Sequence, residues 1–134
     1  GNYRKKGLDP ATLPPNVILM GYIPEERYVK MLKSVDGTID LTSREDCLVC
    51  GAYESVAAGK PQVLSDTHAL RSYFSKGAVY ASHSVESLRE AIRCLLENRS
   101  VLESEARELK RERQEEWEIM KKDLLDHISA LRTL

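Results

Sequence analysis

The chain lacks a charge imbalance. Twenty Lys and Arg stand against 21 Asp and Glu, a formal net charge of −1 at pH 7. No broad field of one sign then draws nucleic acid or acidic lipid, and neither is expected as a partner. Long apolar runs are also lacking. Runs such as Val17-Ile18-Leu19-Met20 fall far short of the roughly 20 residues that span a bilayer, and no apolar leader opens the sequence. A transmembrane segment is therefore not expected. Three cysteines make no even disulfide framework, which favours a reducing, cytoplasmic setting. Gly and Pro are missing from residues 100–134, so nothing in that stretch breaks a helix.

What is present suggests one soluble α/β domain in 134 residues that are 42% hydrophobic and 31% charged. Residues 1–15 are basic and then Pro-rich, an arm with little to pack. Residues 17–23 form a short apolar run and are expected to be a buried strand. Pro24-Glu25-Glu26 opens a helix with Tyr28, Met31, Leu32 and Val35 on one face. Strands are then expected at 37–41, 62–65 and 78–81, with helices at 49–58 and 68–74 between them. Gly59 and Pro61 stop the first of those helices. Ser84 caps a further helix whose Leu88, Ala91, Ile92, Leu95 and Leu96 recur at helical spacing. Residues 100–134 read as one long helix, with apolar positions at Leu102, Ala106, Leu109, Trp117, Met120, Leu124, Ile128 and Leu131 interrupted by a wholly polar stretch at 110–116. Alternating strands and helices predict a mainly parallel sheet.

The stretch with the most chemistry is 40–66. A strand runs into the polar loop Thr42-Ser43-Arg44-Glu45-Asp46, then a helix, then a second strand. In open α/β sheets ligands bind beyond the carboxyl ends of the strands, so this loop lies where a ligand is expected. Two carboxylates, Asp46 and Glu54, have seven residues between them. Glu54 sits among small and apolar neighbours, a context in which a charge asks for a partner; the plain alternative is a helix-surface Glu. Asp46 has an equally plain alternative in favouring the helix N-terminus. Cys47-Leu48-Val49-Cys50 is a Cys-x-x-Cys pair at a helix start, where a thiol pKa falls in redox proteins; both cysteines serve equally as small apolar fillers. Zinc would need two further ligands. His68 falls just past a strand end, where a surface role competes with one in the cleft.

Taken together, Ser43-Arg44-Glu45-Asp46, Glu54-Ser55-Val56-Ala57-Ala58 and Gly59-Lys60-Pro61 resemble the C-terminal, nucleotide-sugar-binding domain of retaining glycosyltransferases built from two Rossmann-like domains (the B-type, group 1 or family 4-like enzymes). That family carries an acid, seven residues, a Glu, a small-residue helix end and Gly-x-Pro before the next strand. The flanking stretches at 16–23 and 87–92, and Trp117 in a long final helix, are similar to the family's in the same order.

The resemblance implies a partial Rossmann-like donor-binding domain at 16–99, between the arm at 1–15 and the long helix at 100–134. It implies transfer of a sugar from a nucleoside-diphosphate sugar to an acceptor that the sequence does not identify. Glu54 would hold the ribose hydroxyls, since a carboxylate accepts two hydrogen bonds from a vicinal diol. Asp46, or Glu45 beside it, would be the catalytic acid near the donor sugar. Ser43 and the backbone of Cys47, Leu48, Val49, Cys50 and Gly51 would face the diphosphate at a helix N-terminus. The family needs no metal or other cofactor there.

Two departures qualify the resemblance. Cys47-Leu48-Val49 stands where many members have Gly-x-Gly, and too few residues precede 17 to supply the family's first strands or its acceptor-binding N-terminal domain. The chain is therefore expected to be part of a longer enzyme and inactive by itself. Its exposed terminal helix or sheet edge would be covered by that missing domain or by homo-oligomerisation. A non-catalytic α/β binding module is the alternative reading, and a Cys47–Cys50 thiol redox protein a more distant one.

Overall fold

The computed structural model describes residues 3–132. The chain divides into two compact units, residues 1–34 and 35–134.

The first unit begins with two single turns of 3-10 helix, Arg4–Lys6 and Pro10–Thr12. Asp9 caps the second turn, its Oδ1 accepting the Ala11 N–H at 2.9 Å. Helix α1, Glu25–Ser34, follows Pro24 and carries Glu25 and Glu26 in its first turn, where carboxylates favour the positive end of the helix dipole. The strand expected over residues 17–23 does not form. Val17 donates instead to the Pro14 carbonyl at 2.9 Å in a turn, and Ile18 and Tyr22 are 77% and 83% exposed. A strand exists only as a member of a ladder, and this run joins no ladder among the described residues. Apolar content without a pairing edge leaves an irregular segment.

The second unit is α/β. Strands β1 (Thr38–Asp40), β2 (Gln62–Ser65) and β3 (Ala78–Ala81) form a parallel sheet in the order β1-β2-β3. Thr38 is in register with Gln62, and Gln62 with Ala78. Helices α2 (Cys50–Ala58), α3 (His68–Tyr73), α4 (Val85–Glu97) and α5 (Arg99–Arg132) complete the unit. It has the architecture of a partial Rossmann-like fold: a parallel sheet flanked by helices, followed by one long helix.

The central strand explains the layering. All four residues of β2 are buried, and successive side chains point to opposite faces. Leu64 packs with Ala52 and Val56 of α2, Leu70, Phe74 and Leu109 on one face. Val63 packs with Ala81, Ala91 and Leu95 of α4 and Leu102 on the other. Truncating a side chain such as Leu64 in a core of this kind costs about 2–5 kcal/mol.

Local signals set the element ends. The Gly59 N–H returns to the Val56 carbonyl at 2.9 Å and closes α2. Ser84 caps α4 as its position predicts, its Oγ accepting the Ser87 N–H at 3.1 Å. Thr67 does the same for α3, toward Leu70 N–H at 3.2 Å.

The first half of α5 is bolted to the sheet unit. Leu102, Ala106 and Leu109 are buried. Gly77 lies so close to Ala106 that a Cβ there would sit 2.7 Å from its backbone, and Gly77 itself has φ +68°. Glu105 accepts the Gly77 N–H at 3.0 Å, while Lys76 reaches Glu108 and Glu112 at 2.6 and 2.5 Å. Lys110 donates to the Ala57 carbonyl at the end of α2, at 2.7 Å. Arg113 donates to the Tyr73 carbonyl at 2.8 Å and lies 4.4 Å above the Tyr73 ring. From Gln114 to Leu131 every residue is exposed.

Candidate functional site at the carboxyl edge of the sheet

The three strands point their carboxyl ends at one edge, and the polar residues of 40–46, 65–68 and 82–84 gather there. At the end of β1, Asp40 turns its half-buried carboxylate onto the first turn of α2. A Cβ at Gly51 would lie 2.3 Å from Asp40 Oδ2, so only a glycine admits the carboxylate at this distance. Burial pushes the Asp40 pKa above its usual value; a hydrogen bond from the Gly51 N–H opposes the rise, and the negative charge of Glu54 adds to it.

The loop after β1 is held from below. The Thr42 N–H donates to Ser65 Oγ at 2.8 Å, and the same Oγ lies 2.8 Å from His83 Nε2. Thr42 Oγ1 in turn accepts the Arg44 N–H at 3.1 Å. Ser65 thus ties the ends of all three strands together from a buried position. Asp66, one residue on, pairs with Arg71, which holds the Asp66 carboxyl below its usual range. The Arg71 guanidinium also lies 4.3 Å above the Tyr80 ring.

The residues expected to form a donor site occupy different situations. Glu54 is exposed on α2, one turn beyond Cys50, and its charge reaches Asp40. Ser43 and Asp46 are exposed on the loop. Glu45 is committed elsewhere: its Oε1 accepts the His68 N–H at 2.9 Å, at the start of α3. Leu48 and Val49 pack against the apolar core beside Leu64. Cys47 is half-buried with Sγ 3.8 Å from the Leu48 carbonyl, and Cys50 is exposed; both are free thiols. Among the described residues no three His, Cys, Asp or Glu side chains cluster as metal ligands would.

Sequence pattern placed Thr42 in the ligand-side loop and Ser65 at the cleft floor, but gave no role to Asp40 and did not foresee the link from Thr42 through Ser65 to His83. The one available signal for Asp40 was an acid on the last residue of strand β1, shortly before the motif.

The architecture defines a class: a Rossmann-like α/β unit with a polar crown at the carboxyl edge of a parallel sheet. No protein-family model, curated protein or solved structure matches the chain. Among the described residues no helix is long and apolar enough to cross a membrane.

Proposed function

We propose that this chain supplies the donor-binding side of a glycosyltransferase, receiving a nucleoside-diphosphate sugar at the carboxyl edge of its sheet. The observation that supports this reading most is the β1–loop–α2–β2 unit. It carries an exposed Glu54 on the helix that follows the carboxyl end of β1, beside a loop with Ser43, Arg44 and Asp46. An ionised Glu54 would accept both ribose hydroxyls. Asp46 would stand near the donor sugar, because Glu45 is engaged with α3. The diphosphate would meet Arg44 and the loop rather than the Gly51 N–H, which Asp40 occupies. In the complete enzyme the anomeric carbon would pass to an acceptor hydroxyl as the nucleoside diphosphate leaves.

Asp40 also favours a second reading, a non-catalytic α/β interaction module. A carboxylate at the helix N-terminus takes the place an incoming phosphate would use. Titration of UDP, GDP and ADP, followed through backbone amide shifts, separates the two. Shifts confined to 42–54 with one nucleotide support the donor site. A folded sample that responds to none of them leaves the interaction module in its place.

A further inference from the structure

Helix α5 carries one stripe of apolar positions, broken only at Arg113. Positions 102, 106, 109, 113, 117, 120, 124, 128 and 131 advance by four, three and four residues, an eleven-residue repeat that keeps them on one side of an α-helix. The chain's own sheet unit covers this face as far as Arg113. Beyond it the face is bare: Trp117, Met120, Leu124, Ile128 and Leu131 are between 43% and 69% exposed. At its near end lies a cleft of about 240 Å³, walled by Tyr53, Tyr73, Phe74, Arg113 and Trp117.

We propose that this face is the interface of an antiparallel homodimer, in which the α5 helices of two copies pair over residues 117–131 about a two-fold axis at Leu124. The direction follows from sterics. A helix laid parallel along the stripe would run into the sheet unit that already occupies the same face up to Arg113. An antiparallel one ends there. The spacing is also self-complementary: steps of three, four, four and three read the same from either end. A two-fold at Leu124 therefore sets Leu124 on its own copy, Met120 on the second copy's Ile128, and Trp117 on its Leu131. This is the isologous arrangement in which one patch serves both subunits. The second copy's helix end then arrives at the mouth of the aromatic cleft. Covering the stripe on both copies removes roughly 1,000 Å² from water, about the area a biological interface must clear and in the range of small, reversible ones. The proposal rests on α5 alone and is independent of the donor-site reading.

Sedimentation of the full chain, with cysteine cross-linking, tests it. The chain should sediment as a concentration-dependent dimer. Leu124→Asp should weaken the dimer at least about a hundredfold, since it puts two like charges on the axis, while leaving the helical circular dichroism unchanged. Under mild oxidation, with the unsubstituted chain as reference, Leu124→Cys should cross-link to itself. Trp117→Cys and Leu131→Cys should cross-link only when mixed. A chain that stays monomeric throughout, or self-linking of Trp117→Cys and of Leu131→Cys separately, overturns the proposal.

Discussion

Gly51 and Asp40 fit together with no room for a methyl group: a Cβ on Gly51 would lie 2.3 Å from Asp40 Oδ2. The atom in the way is the end of a short side chain, so it can swing aside at modest cost. Gly51→Ala is expected to destabilise the protein by about 1 kcal/mol and to expel the Asp40 carboxylate from the start of α2. In an Asp40→Ala background the same change should cost nothing further. Urea unfolding of the four proteins in this double-mutant cycle measures the coupling.

Asp40 titrates in a direction that can be read from stability. Its folded pKa is raised, chiefly by burial, so the folded state holds this proton more tightly than the unfolded state. The contribution is favourable below the ordinary carboxylate pKa and is lost as pH rises through the raised value. Asp40→Asn should therefore be more stable than the parent at pH 7, and the gap should close as pH falls to the ordinary carboxylate range. Denaturation midpoints across that range check the sign. The same variant should bind nucleoside diphosphates more tightly if the edge receives them, because a negative charge leaves the start of α2.

Gly77 is less forgiving than Gly51. Its φ is +68°, and the atoms 2.7 Å from a Cβ belong to the backbone and Cβ of Ala106, which cannot move without moving α5. Gly77→Ala should cost about 2–4 kcal/mol. By contrast, Lys76→Ala breaks only solvent-screened pairs with Glu108 and Glu112, whose loss should shift the midpoint little. Chemical unfolding should rank the two in that order.

Glu45 and Asp46 should part company. Glu45→Ala removes the acceptor for the His68 N–H, and loss of such a cap costs about 1 kcal/mol. It should leave nucleotide binding unchanged. Asp46→Asn should spare stability and nucleotide binding, and weaken only the contribution of the sugar. Unfolding midpoints and affinities for a nucleoside diphosphate with and without its sugar separate these effects.

The sheet unit was legible because its signals are local. The compact runs at 62–65 and 78–81, the Ser84 cap, and Gly59 before Pro61 place elements that tertiary packing only confirms. Residues 17–23 show the limit: apolar composition names a strand, but pairing makes one, and no ladder receives this run. Asp40 was hidden for a related reason, since its setting depends on the approach of Gly51 across a loop. The α5 stripe has the same periodicity where it is buried at 102–109 and where it is bare at 117–131, so periodicity alone does not separate the halves; the expectation of an exposed terminal helix came from the family resemblance. Arg113 lies on that stripe and looks like an interruption. Its stacking on Tyr73 makes it part of the packed face.

The most direct test of the central claim concerns the ribose. Binding of the preferred nucleoside diphosphate and of its 2′-deoxy form should be measured on the parent and on Glu54→Ala. If Glu54 holds the diol, the parent should prefer the ribonucleotide by about tenfold, and the variant should bind both forms with equal, weakened affinity. Equal binding of the two forms by the parent, or a preference that survives in the variant, would contradict the account.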